Sequence, residues 1–184
     1  MTRWEPVLEE VMRERSPRLL AYARLLTGDD AEAQDVLQDA LVRTFSRGRA
    51  FDNANLAESY VRKAIPNVFV DRMRRRTSAR RAHDKDVALG GHDVLTPDRE
   101  AVMDVRAALT TLPPQERACV VLRFYDDLTV PQIAAQLNLA EGTVKRYLAD
   151  ASGKLARILG EDVDASDEAT GVPVQAPAMR GARA

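Results

Sequence analysis

Lysine, cysteine and aromatic rings are scarce in this chain, and metal-binding patterns are missing. The single cysteine, Cys119, sits in an apolar helical run with Ala118, Val120, Val121 and Leu122. That excludes a disulfide framework and reads as a buried thiol. His83 and His92 stand nine residues apart with no cysteine or paired carboxylates at ligand spacing, so no metal site is expected. There is no glycine-rich phosphate loop and no nucleophile beside a base. Neither an enzyme nor a cofactor is therefore expected. No apolar run approaches a membrane span and the N-terminal residues lack a signal-peptide core, which leads us to expect a cytosolic chain with no membrane partner. β-type alternation is also lacking throughout.

What is present is helical periodicity on a chain of 184 residues, long enough for one large domain or two small ones. Val7, Leu8 and Val11 open a helix that continues or kinks at Ser16-Pro17 and ends at Thr27-Gly28. Acidic Asp29, Asp30 and Glu32 start the next, whose buried stripe is Val36, Leu37, Ala40, Leu41, Thr44 and Phe45. Gly48 to Ala54 is a polar loop, and Asn55 is placed to cap a third helix. Pro66 falls inside that helix, and we expect a kink there. Residues 77–96 read as a flexible linker. Thr96-Pro97 restarts helix, Pro113-Pro114 stops it, and two further helices follow. The tail from 161 to 184 reads as disordered. The expected fold is all-α: two small helical domains, 1–76 and 97–160, joined by the linker.

The charge is uneven. Net charge is only −1, yet nine cations between Arg62 and Lys85 face two acids, a local excess of seven. Acid collects instead at Asp29–Asp39 and Glu161–Glu168. Such polarity suggests one face for DNA and another for a protein partner.

Leu128 to Leu148 has the spacing of a helix-turn-helix. Ala134 lies where two helices approach closely, Asn138 tolerates a left-handed turn, and Val144 faces inward. Thr129 and Gln132 form a capping box. The second helix presents Thr143, Lys145 and Arg146 outward, residue types suited to phosphates and base edges.

Three stretches carry a family resemblance: LTGDDAEAQDVLQDALVRTF, SYVRKAIPNVFVDRMRRR and LTTLPPQERACVVLRFYDDLTVPQIAAQLNLAEGTVKRYL. In this order they resemble regions 2.1–2.2, 2.3–2.4 and 4 of the sigma-70 family, in its extracytoplasmic-function members. The resemblance implies a factor that binds core RNA polymerase, at the β′ coiled coil and the β flap, and directs it to minus-10 and minus-35 promoter elements. An anti-sigma factor is a further partner it allows, and the nucleoid a place of action. It assigns the polymerase contact to Asp35, Gln38, Asp39 and Arg43. It assigns the minus-10 element to Phe51, Asn53, Asn55 and Asn67, with Arg72, Arg74, Arg75 and Arg76 on phosphates. Arg117, Arg123, Thr143, Lys145 and Arg146 fall to the minus-35 element. Departures from the family pattern are Gln34, Pro66, Pro131-Gln132, Ala140 and Asp150. A stand-alone helix-turn-helix regulator is the competing reading, although it gives the N-terminal half no role.

Overall fold

A computed structural model describes residues 4–46, 50–83 and 102–159. The expectations for Gly48, for the linker beyond His83, for the helix start at Thr96-Pro97 and for the tail lie outside these residues.

α1 (Glu5–Glu10) passes through a π-helical turn (Val11–Arg15) into α2 (Ser16–Thr27). Ser16 N–H reaches back five residues to Val11 O just before Pro17, which has no N–H to give. The disturbance expected at Ser16-Pro17 thus takes the form of one widened turn. α2 ends at Gly28, whose φ of +76° lets its N–H bond Arg24 O at 2.9 Å. A Cβ there would also come within 2.3 Å of Thr110 Cγ2. Asp29 caps α3 (Asp30–Phe45) by accepting from Glu32 N at 2.8 Å. α3 buries Ala33, Val36, Leu37, Ala40, Leu41 and Phe45, as its periodicity requires.

α4 (Ala54–His83) differs from expectation at both ends. Its start is capped by Asn53, which accepts from Leu56 N at 2.9 Å, and not by Asn55, whose Oδ1 accepts from Arg15 Nη2 at 2.9 Å. It then runs through the buried Pro66 and past Arg76, so the first seven residues assigned to the linker are helical. The apolar stripe in phase on both sides of Pro66 (Val61, Ile65, Val68, Phe69) keeps the helix packed where one backbone bond is lost.

α5 (Val102–Thr111), α6 (Pro114–Phe124), α7 (Val130–Leu137) and α8 (Glu141–Leu159) complete the chain. α7 and α8 form the helix-turn-helix. Thr129 N donates to Gln132 Oε1 at 2.8 Å, Asn138 turns at φ 52° and ψ 54°, and Leu139 N returns to Ala134 O at 2.9 Å. Ile133, Ala134, Leu137 and Val144 are buried between the helices. Both halves then join in one apolar core, which runs from Val11 through Phe69 and Leu112 to Ala151. The two helical units are packed against each other, a relation no local pattern could show.

Candidate nucleic-acid interface

On α3, Asp35, Gln38, Asp39 and Arg43 all face solvent, opposite the buried stripe. The two carboxylates are nevertheless held. Arg72 on α4 reaches Asp39 Oδ2 at 2.6 Å and Asp35 Oδ2 at 2.9 Å, and its pKa is raised chiefly by the Asp39 hydrogen bond. One turn on, Arg76 pairs with Glu32 at 2.5 Å, and Arg43 crosses to Asp71 at 2.9 Å. The result is a ladder of ion pairs in which the acids keep half their surface open, at 59% and 52%. Val42 lies 60% exposed on the same face, an apolar element the charge pattern did not single out.

This ladder engages two of the four arginines assigned to phosphates. Arg72 and Arg76, assigned to phosphates, are paired to α3 carboxylates. Arg74 faces the Gln115 amide, which turns its oxygen to the guanidinium at 3.1 Å and its nitrogen to the Tyr147 hydroxyl. Arg75 is exposed and makes no ion pair among the described residues.

The residues assigned to base reading divide similarly. Phe51 is 5% exposed, edge-on to Phe45 at 5.2 Å and 5.4 Å from Tyr60. It is a core residue here and offers no open face to an unstacked base. Asn53 is exposed and spends its oxygen on the α4 cap, and Asn55 holds Arg15. Asn67 is half-buried, with Nδ2 at 3.4 Å from Lys63 O.

In the C-terminal half, Lys145 and Arg146 are exposed on the first turns of α8 and Thr143 is half-buried. Gly142 meets open space, so backbone approach to α8 is unhindered. Lys154 salt-bridges both Glu116 oxygens at 2.7 Å and fixes α8 to α6. Asp150 is exposed on the same helix. Arg117 departs from its assignment altogether. It is 8% exposed and donates to Leu26 O at 2.5 Å, Thr110 O at 2.6 Å and Leu112 O at 3.1 Å. Burial pushes its pKa down to about 10, which still leaves it charged at neutral pH. Arg123 is exposed, with Nη1 on Leu128 O at 3.2 Å.

Cys119 is fully buried and its thiol is pushed up to about 11, by burial first and then by Glu116. Among the described residues no cluster of His, Cys, Asp and Glu could hold a metal, and no helix is long and apolar enough to cross a membrane.

A helix-turn-helix with an exposed basic second helix, joined to a second helical unit with a carboxylate-rich face, defines a DNA-binding protein. Comparison with known proteins agrees. Sigma-70 region 2 matches residues 11–79, and sigma-70 region 4 matches residues 103–155. The RNA polymerase sigma-E factor of Streptomyces coelicolor is 35% identical over 164 residues, covering 85% of this chain and 89% of that protein. The ECF RNA polymerase sigma factor SigM of Mycobacterium tuberculosis is 31% identical over 83% of this chain and 76% of its own length. Among solved structures, the sigma factor RpoE of Bartonella quintana, in complex with the anti-sigma factor NepR, shares the fold. The TM-score is 0.56 at 23% identity, covering 86% of this chain and 95% of that one. The chain belongs to the sigma-70 family of RNA polymerase sigma factors, among its extracytoplasmic-function members.

Proposed function

We propose that this chain confers promoter specificity on core RNA polymerase through three faces, acts without catalysis of its own, and works at the nucleoid. The observation that carries the reading is the pairing of an α3 face bearing half-open carboxylates with an exposed basic α8. Asp35, Gln38, Asp39 and Arg43, with Val42 at their edge, suit a basic partner helix such as the β′ coiled coil. Thr143, Lys145 and Arg146 enter the major groove at minus-35, while the remainder of the C-terminal half faces the β flap. Asn53 and Asn67 carry amides able to read minus-10 bases, and Arg75 supplies phosphate affinity. Arg72 and Arg76 serve this scheme as positioning residues: they hold Asp35, Asp39 and Glu32 in place. An anti-sigma factor competing for the same faces fits the reading.

A stand-alone regulator would have no use for the α3 face. The test is therefore co-purification with core enzyme and promoter-directed transcription by the Asp35→Lys/Asp39→Lys double variant. We expect loss of both, with helical content unchanged by circular dichroism. Normal association with core enzyme would exclude the α3 assignment.

A further inference from the structure

Asp150 stands on α8 without the reasons that place other acids in this chain. Glu141 sits in the first turn of that helix, where the dipole favours a carboxylate. Asp150 lies nine residues further on, mid-helix, where aspartate is a poor helix former. Asp35, Asp39 and Glu116 each hold a cation, whereas Asp150 has no ion pair or hydrogen bond among the described residues. Its two cationic neighbours at helical spacing are turned elsewhere. Four residues before it, the Arg146 guanidinium lies over the Tyr147 ring at 5.3 Å. Four residues after it, Lys154 is taken up by both oxygens of Glu116 at 2.7 Å. An exposed carboxylate thus stays open beside the cations assigned to DNA.

The face around it permits close approach. Val144 and Ala151 are buried on the opposite side of α8. Gly142, Lys145, Arg146, Ala149, Asp150 and Gly153 are exposed and fall within one half of the helix circumference, at about 100° per residue. Gly142, Ala149 and Gly153 run down the middle of that half, and a Cβ on either glycine would meet open space. A short side chain such as aspartate therefore sits near whatever surface this face meets. A carboxylate accepts hydrogen bonds and donates none. In the major groove guanine and thymine present acceptors, which repel it. Adenine sets its N7 acceptor beside its amino group, and cytosine offers the N4 amino group alone. We infer that Asp150 is a specificity-determining residue that selects cytosine in the minus-35 element; this rests on the promoter reading above. Asp150 lies about 6 Å along α8 from Arg146 at about 1.5 Å per residue, and base pairs step by about 3.4 Å. Its cytosine therefore lies within about two base pairs of the position Arg146 faces. The same carboxylate repels phosphates, so it lowers affinity for every duplex while raising discrimination among them.

The test is selection from a duplex library randomised through the minus-35 region, by holoenzyme reconstituted with the full chain and in parallel by the free full chain. Wild type should enrich cytosine about tenfold at one position. Asp150→Asn keeps the shape and adds a donor, as adenine N6 and N7 together require, so that position should change from cytosine to adenine. Asp150→Ala should leave the position without preference and raise affinity for all sequences. Preferences at the other positions should be unchanged in both variants. Unchanged preference everywhere with uniformly raised affinity would show an acid that only repels phosphates, and would overturn the inference. So would cytosine enrichment that survives both substitutions, or a change spread over all positions. Absence of core association would instead overturn the promoter reading, and selection by the free chain would still decide the role of Asp150. No enrichment by either form would overturn both.

Discussion

Asn138 holds φ 52° and ψ 54°, a left-handed conformation that costs an ordinary L-residue about 1–2 kcal/mol. Asn138→Ala should therefore lower stability by about 1 kcal/mol and Asn138→Gly much less, read as shifts of the urea midpoint. Equal losses would mean the side chain matters for something other than backbone conformation. Tyr22 gives a pH signature. Its pKa is raised above 10.0 by burial first, then by the charge and hydrogen bond of Asp126. The folded chain keeps this proton where the unfolded chain loses it. The stabilisation is thus complete below about pH 10 and falls as pH rises beyond it. Tyr22→Phe should be the less stable protein at pH 8, by about 1 kcal/mol, and the gap should close as pH approaches 11. A gap independent of pH in urea unfolding would show that the hydroxyl is not held as described. The two residues differ in legibility. Asn138 answers to neighbours four residues away, so the turn was readable from spacing. Tyr22 meets Asp126 across 104 positions and Arg117 meets Leu26 across 91, and no local pattern encodes either.

At the scale of elements, α3 and α4 lie side by side, and their facing charges decide which arginines are free. The periodicity of α3 was enough to place Asp35, Gln38, Asp39 and Arg43 outward. The partner of Asp35 and Asp39 was hidden, because Arg72 comes from a helix more than thirty residues on. An arginine run read alone suggests phosphate; read beside an acidic helix it becomes a ladder. Likewise Phe51 looked like a loop aromatic until Phe45 and Tyr60 enclosed it. Two substitutions separate the roles. Arg72→Gln should weaken association with core enzyme several-fold, since two exposed acids lose their common partner, while the salt dependence of promoter binding stays as in the wild type. Arg75→Ala should do the reverse, reducing the slope of log affinity against log salt by about 0.7–0.9 without changing base preference. Titrations of core enzyme and of promoter at two or more salt concentrations distinguish them. A reduced promoter salt slope in Arg72→Gln would return that residue to the DNA.

For the whole molecule, the consequence of a shared core is that free and polymerase-bound chains should count promoter elements differently. The longest described element, α4, runs about 45 Å at about 1.5 Å per residue. That is well short of the roughly 85 Å that separates the two promoter elements at about 3.4 Å per base pair, so a packed chain touches one element of a duplex at a time. Two weak sites that cannot be engaged together gain nothing from being on one chain, because avidity vanishes when geometry forbids simultaneous contact. The free chain should therefore bind a duplex carrying both elements no more tightly than one carrying minus-35 alone. On the promoter-specificity reading, holoenzyme makes the second contact intramolecular, and each element should depend on the other. A double-mutant cycle on the DNA measures this directly: wild-type promoter, each element scrambled, and both scrambled. Affinities are taken for the free chain and for holoenzyme. The coupling between elements should be near zero for the free chain and amount to tenfold or more in holoenzyme. Sequence reading of the two halves as separate modules would allow the free chain to span both elements across its linker. A coupling in the free chain as large as in holoenzyme would support that picture against the packed one, and would leave the two units' shared core without a role in promoter recognition.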